Sequence, residues 1–280
     1  MTQNSDAPVT LVLGGNGKTG SRVAQRLVAA GRPIRIGSRS ADPGFDWDDP
    51  TTWEPALDGV GAVYLSYYPD LAVPSAAAAV GAFARLAVGT GARRIVLLSG
   101  RGEPGAQAAE QAVRDAGGEV TVVRASWFNQ NFSESYFLDP ILDGEVALPV
   151  DAVPEPFIDT DDIADVAVAA LTGDGHAGEL YEVTGPRLLT FAAAVAEIAA
   201  ATGREITFVP ISFAQYAAAL TDLHLPADLV GLLEHLFTEV LDGRNASLTD
   251  GVERALGRKP RDFSDFVQQE ATAGTWAARH

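Results

Sequence analysis

Gly14-Gly15-Asn16-Gly17-Lys18-Thr19-Gly20 stands directly after the apolar run Val9–Leu13 and directly before a segment of helical period, 21–30, with Val23 and Leu27 on one face. Strand, glycine turn and helix in that order make an anion site. Glycines permit a tight turn and close approach of backbone to a pyrophosphate, and the first helical turn presents unpaired N–H groups and a partial positive charge. The spacing fits both G-x-G-x-x-G and G-x-x-G-x-x-G. Gly14, Asn16, Gly17, Lys18, Thr19 and Gly20 are therefore the expected dinucleotide-binding residues. Gly17-Lys18-Thr19 also matches the end of a triphosphate loop, G-x-x-x-x-G-K-[ST], but the first glycine of that loop would fall on Val12, inside the apolar run. An ATPase or kinase is set aside on that ground. A glycine turn that merely joins strand to helix is the competing reading.

At the end of the next apolar run, 34–36, an NAD site would carry an acid to accept from the ribose hydroxyls. Here the chain reads Gly37-Ser38-Arg39-Ser40. A hydroxyl and a guanidinium suit a 2′-phosphate, so the expected cofactor is NADP(H), with Ser38 and Arg39 selecting it. The alternative is that Arg39 is an ordinary surface arginine. Asp159, Asp161, Asp162 and Asp165 look like metal ligands, yet carboxylates at a helix start serve capping and the helix dipole. The run lacks the glycine and terminal glutamate of a calcium loop, and His224 and His235 have no third ligand, so no metal site is expected.

The elements that would position these groups alternate along the first half. Runs at Val9–Leu13, 34–36, 62–65, 95–98 and 120–123 read as strands, and 21–30, 75–88 and 106–116 read as helices. Such alternation gives a parallel sheet with right-handed crossovers. Further on, Asp159 or Thr160 caps a helix running to Leu171, and Leu180–Val183 and 206–209 are short strands. Segments 190–201 and 212–220 are helices with N-cap residues in place, and Pro226 precedes an amphipathic helix carrying Leu229, Leu232, Leu233, Leu236, Phe237 and Val240. The expected fold is α/β: a Rossmann-type doubly wound parallel sheet with a small C-terminal α/β cap. The nucleotide-binding domain is placed at 1–150, and the remaining strands with a mostly helical substrate cap at 151–280, the chain interleaved.

Composition narrows the partners. With 280 residues, 47% of them hydrophobic, the chain can bury a large core without a covalent staple. It has no cysteine, which excludes disulfides, thiolate metal sites and cysteine nucleophiles, so redox chemistry must come from a bound cofactor. A formal net charge of −17 argues against nucleic acid or an anionic membrane, since phosphate binding needs a basic face. The opening MTQNSDAPVTLVLGG has neither a basic n-region nor a long apolar stretch, and Asp and Gly interrupt the later apolar runs. No signal peptide or membrane span is expected, and a cytoplasmic location is.

Several longer segments carry a resemblance. They are the turn at 14–20 with Ser38-Arg39-Ser40, Phe45-Asp46-Trp47, Leu97-Leu98-Ser99, RASWFNQNFSE from Arg124, PFIDTDDIA from Pro156, and GRKPRDF from Gly257. In them the chain resembles the NmrA-like atypical short-chain dehydrogenases, within them the festuclavine-dehydrogenase-like group and its bacterial relatives, over nearly its whole length. The resemblance implies that Asp46 and Trp47 lie near the adenine and that Ser66 and Tyr67 line the strand ends at the cofactor. It also implies that 127–131 face the nicotinamide and a substrate pocket, and it favours that pocket for Trp127 alone; Tyr68, Phe128 and Phe157 are the further substrate-binding candidates. Ser99, which could also reach the cofactor, Tyr67 and Asn131 are the implied catalytic candidates. Plain alternatives stand beside these: turn chemistry for Ser99, a core cluster for Phe128 and Phe132, a loop-fixing role for Asn131.

Ordinary short-chain dehydrogenases protonate the carbonyl oxygen with a tyrosine followed four residues later by a lysine. None of Tyr64, Tyr67, Tyr68, Tyr136, Tyr181 and Tyr216 has that lysine. The implied substrates need little acid assistance: iminium ions, quinones and conjugated acceptors, for which the protein mainly holds donor and acceptor at near-attack distance. The expectation is an NADPH-dependent oxidoreductase of secondary metabolism acting on a small flat aromatic or heterocyclic molecule. Because a reduced quinone reacts with oxygen, net hydroxylation by a quinone-type monooxygenase is an open outcome. The rival from another class is a non-catalytic NADP(H)-sensing regulatory protein of NmrA type. A homodimer is left open.

Overall fold

The alternation in the first half becomes five strands, β1 (Val9–Leu13), β2 (Ile34–Gly37), β3 (Val60–Leu65), β4 (Arg94–Gly100) and β5 (Glu119–Ala125), joined by β8 (Leu180–Val183) from later in the chain. They form one sheet in the order β2-β1-β3-β4-β5-β8, with every neighbouring pair parallel. Strands covered on both faces read as continuous apolar runs, and Leu11, Val12, Leu13, Val63, Tyr64 and Leu65 are all fully buried. Around the sheet lie α1 (Lys18–Ala29), α2 (Trp53–Leu57), α3 (Ala76–Gly89), α4 (Pro104–Arg114), α6 (Thr160–Thr172) and α10 (Gly251–Leu256). α3 packs on α4 over a core that takes in Ile95 and Leu97, and α1 packs on α6. The chain leaves β1 toward β2 on one side and places β3 on the other. That reversal is the switch point at whose carboxyl ends open α/β sheets bind ligands.

This computed structural model describes residues 8–278; the first seven residues, part of the segment read for a leader, lie outside the described residues. The chain divides into two compact units. The first runs to Ala125 and includes Thr160–Val183 and Asp250–Arg258; the second holds Ser126–Asp159, Thr184–Thr249 and the chain from Lys259 on. The division expected at 150 is corrected: the first unit pauses at Ala125, and β8 and α6 return to it because β8 pairs with β5 and α6 with α1. The aspartates read as helix caps also take arginines. Arg26 of α1 reaches Asp161 at 2.7 Å and Asp165 at 2.6 Å, and Arg258 reaches the fully buried Asp162 at 2.7 Å.

The second unit has two small sheets, β6 (Glu145–Leu148) parallel to β10 (Thr207–Pro210) and β7 (Pro154–Glu155) antiparallel to β9 (Leu189–Thr190). Its helices are α5 (Leu138–Asp143), α7 (Phe191–Thr202), α8 (Phe213–Asp222), α9 (Ala227–His235), which runs on into a π-turn at Leu236–Val240, and α11 (Phe263–Ala273). Thr190 caps α7, and Ser212 with Gln215 forms a capping box on α8. The core is aromatic: Phe132, Phe157, Phe191 and Phe263 are 0–2% exposed. Trp276, 1% exposed, closes it and donates its indole N–H to the Phe132 carbonyl at 2.8 Å. Among the described residues no helix is long and apolar enough to cross a membrane, and no group of three or more His, Asp or Glu side chains is placed to hold a metal ion.

Candidate functional site

Gly14 sits at φ +66, in the left-handed region, and its carbonyl accepts from the Gly17 N–H at 2.8 Å. This bond closes the turn and delivers the chain into α1 at Lys18. A Cβ on Gly20 would stand 2.2 Å from the Gly14 carbonyl oxygen, so the helix and turn backbones touch there. Gly17 is different: the one neighbour its Cβ would meet within 4 Å is that same oxygen, at 3.2 Å. The backbone of Gly17 is extended, no side chain caps α1, and its first turn holds no acid. The first N–H groups of a helix have no intrahelical acceptor, so an exposed glycine backbone leads into uncapped donors at a positive helix end. That cradle fits a diphosphate. Thr19, expected as a ligand, is buried at 5% exposure.

The other residues expected along a dinucleotide follow the ends of β2 and β3. Ser66, just past β3, lies against the turn, 3.3 Å from where a Gly14 Cβ would be. Past β2, Arg39 is exposed and holds no ion pair among the described residues, and Ser38 Oγ lies 3.3 Å from Ser40 Oγ. The Asp46 backbone is pinned by Thr52 Oγ1 at 3.0 Å and by the Trp53 indole N–H at 2.8 Å. Trp47 packs its ring 4.9 Å from Tyr67 and 5.4 Å from Phe83. Tyr68, next along the chain, is 79% exposed.

Ser99 does not offer its hydroxyl to a ligand. Its side chain follows Ile95 and Leu97 into the layer under α4 and donates to Glu110 Oε1 at 2.6 Å. Arg124 clamps the same carboxylate at 2.9 and 2.6 Å. The cofactor and catalytic roles expected of Ser99 are therefore corrected: its proton is committed inside the first unit.

A group that the sequence does not advertise lies close by. Glu103, between β4 and α4, is 6% exposed, and its carboxyl folds back over the strand end so closely that a Cβ on Gly100 would be 2.3 Å from Oε1. Its partner is Asp70, in the loop after β3, whose Oδ1 accepts from the Ala72 N–H at 2.7 Å. Burial first, then the charge and hydrogen bond of Asp70, push the Glu103 carboxyl up to about 8. Glu103 Oε2 is buried without a hydrogen-bond partner. Nothing in the spacing of an aspartate in one loop and a glutamate in another announces this pair; the sheet order brings them together.

In the second unit the two long motif segments zip together. The Asn129 N–H donates to the Ile158 carbonyl at 2.9 Å and the Ile158 N–H to the Trp127 carbonyl at 2.8 Å, while Gln130 Nε2 donates to Asp159 Oδ1 at 2.9 Å. Trp127 is half-buried, stacked on Phe137 with ring centroids 6.3 Å apart and edge-on to Phe191. Phe128 and Asn131 are also half-buried. Phe157, expected against a substrate, is corrected: at 2% exposure it lies wholly among Phe132, Phe191 and Phe263. Asn129, inside the stretch 127–131 but not named among the candidates, is fully buried with both amide atoms unpaired.

No family model matches the chain. It is 34% identical over 277 residues to the uncharacterized oxidoreductase YesF of Bacillus subtilis, covering 95% of this chain and 96% of that one. It is 32% identical to festuclavine synthase I of Penicillium roqueforti, over 93% of this chain and 97% of the relative. With the NAD(P)H azoreductase of Xenophilus azovorans the identity is 30%, over 94% and 98%. Among solved structures, the Escherichia coli NADPH-dependent quinone oxidoreductase superposes with a TM-score of 0.75 at 21% identity, over 93% of this chain and 99% of that one. The Citrobacter triphenylmethane reductase does so at 0.74 and 15%, over 94% and 99%. At these identities the two structures establish the shared fold.

Proposed function

Because this chain belongs to the NmrA-like atypical short-chain dehydrogenase/reductase family, in the group of the festuclavine dehydrogenases, we propose that it transfers hydride from NADPH to a small, flat, electron-poor acceptor of the quinone type. It is an NAD(P)H-dependent oxidoreductase. The observation that carries the choice of cofactor is the pairing of an uncapped, acid-free helix start behind Gly17 with an exposed, unpaired Arg39 beside Ser38. The cradle takes the diphosphate, and the guanidinium and hydroxyl take the 2′-phosphate. Bound NADPH supplies the hydride; the protein fixes its position and that of the acceptor.

The acceptor class rests on two supports. The chain lacks the tyrosine-lysine pair that ordinary carbonyl reduction uses, and a relative and a structural neighbour are named for azo and quinone reduction, both of conjugated, electron-poor groups. Half-buried Trp127 and Phe128 offer flat surfaces for stacking in the second unit. The test is NADPH oxidation against a panel of aromatic quinones and an iminium salt, run anaerobically and in air, with oxygen consumption and product mass recorded. Oxidation without oxygen supports a reductase, and an oxygen-dependent gain of one oxygen atom supports hydroxylation. No acceptor-dependent oxidation of NADPH refutes the proposal.

A further inference from the structure

We infer that Glu103, buried beside Asp70, is the proton donor of this enzyme, and that the acceptor is accordingly one whose oxygen must gain a proton, a quinone or conjugated carbonyl rather than an iminium ion. The inference rests on the proposed hydride transfer from NADPH.

Three observations place the group. Glu103 and Asp70 follow the carboxyl ends of β4 and β3, adjacent parallel strands, and Ser66, four residues before Asp70, touches the glycine turn. The pair therefore stands on the ligand-binding edge of the sheet. Gly100 has no side chain where Glu103 needs room, so the carboxyl folds onto the strand end instead of pointing away. Most tellingly, one carboxyl oxygen, Oε2, is buried with no partner in a residue 6% exposed. A buried polar atom left unpaired is costly; when the acid proton shared with Asp70 is carried on Oε2 instead, a ligand oxygen at that position would accept it.

The surrounding charges agree on the direction. Facing Glu103 from the loop after β3 is Asp70, its Oδ1 engaged by the Ala72 N–H. On the same stretch of chain as Glu103, Arg101 turns to Glu182 at 3.6 Å, and Glu110 on α4 is taken up by Ser99 and Arg124. With Asp70 ionised beside it and burial opposing a second negative charge, Glu103 keeps its proton to about pH 8.

The step balances. Hydride addition to a quinone leaves an oxyanion; the Glu103 O–H bond breaks, the proton moves to that oxygen, and the carboxylate regains a proton from water. The sum is quinone plus NADPH plus one proton giving hydroquinone plus NADP. Hydride addition to an iminium ion gives a neutral amine at once and has no use for the donor.

E103Q is the informative variant, because a neutral amide replaces a neutral acid of the same shape and can still donate to Asp70. With a quinone at pH 7, kcat should fall on the order of 10²-fold, as expected for loss of a general acid, while the NADPH Kd stays within about threefold. Wild-type kcat should fall above about pH 8; in E103Q that limb should vanish, and in D70N it should move to lower pH. Iminium reduction should be unchanged in E103Q. Independently of turnover, carbon-13 NMR of glutamate carboxyls in the nucleotide-free protein should show one titration near pH 8 that E103Q removes. A wild-type quinone rate and pH limb retained in E103Q would overturn this inference and leave the proposed function standing, as would loss of rate through lost NADPH binding. Absence of turnover in the wild type would overturn the function itself.

Discussion

Replacing Gly17 by valine should separate cofactor binding from folding, because the structure gives Gly17 and Gly20 of the turn different neighbours. At Gly17 the backbone is φ −87, ψ 175, a conformation valine favours, so no backbone strain arises. The new Cβ meets one atom, the Gly14 oxygen at 3.2 Å, which a shift of a few tenths of an ångström relieves. Loss of a glycine N-cap adds up to about 1 kcal/mol, equivalent to a fall in Tm of roughly 2–4 °C for a chain of this size. The valine methyls, however, stand over the N–H groups that would receive the diphosphate. At NADPH a hundred times its Kd, the wild type should gain about 2.7 kcal/mol, or roughly 5–10 °C. G17V should show none of that gain, corresponding to a loss of affinity of at least about 100-fold. Thermal unfolding with and without NADPH, backed by calorimetric titration, measures both quantities. A full NADPH-dependent rise in G17V would refute the placement of the diphosphate. A collapse of the nucleotide-free Tm would show that Gly17 is needed for packing, as Gly20 is, where a Cβ would lie 2.2 Å from the Gly14 oxygen.

R39A should weaken NADPH by roughly 10–100-fold, the worth of a charge-assisted hydrogen bond of about 1.5–3 kcal/mol, while leaving NADH affinity and the nucleotide-free Tm unchanged; equal affinities for the two nucleotides in the wild type would sink the assignment. Because the hydroxyl of Ser99 is spent on Glu110, S99A should slow quinone reduction less than tenfold, and Y67F and N131A likewise. A loss of 10² or more in kcat in any of them, with NADPH binding intact, would mark that residue as the acid. Arg187 bridges Glu197 at 2.6 Å and Asp262 at 2.8 Å and holds the Asp262 carboxyl down to about 2. A folded pKa depressed below the unfolded value stabilises above the unfolded pKa, near 4, and the contribution fades as pH falls from 4 toward 2. After allowance for solvent screening the pair is worth on the order of 1–2 kcal/mol, so R187M should lower the Tm at pH 7 by a few degrees, and the gap should close in acid titrations; a gap unchanged at pH 2 would contradict it.

The sequence by itself determined the strand, turn and helix at 9–29, because that unit is local: the glycines, the helix start and the proposed Ser38-Arg39 selector each lie within a few residues of an apolar run that reads as a buried strand. It also determined most of the sheet, since strands covered on both faces must be apolar throughout, and the caps of α7 and α8, since Thr190 and Ser212 bond their own helices. Short elements such as α5 and α10 escaped it, because six residues show too little period to stand out. The division of the chain was decided by pairing across distance, as β8 joined β5. The same holds for side-chain fate. Ser99 and Phe157 sit in motifs that read as functional, yet the direction of a strand residue turned one under α4 and an aromatic core enclosed the other. Glu103 looks like any glutamate ahead of a proline until the order of β3 and β4 sets Asp70 beside it and buries it to 6% exposure. Burial and neighbouring charge are properties of the assembled fold, and they turn an ordinary carboxyl into an acid that holds its proton at neutral pH.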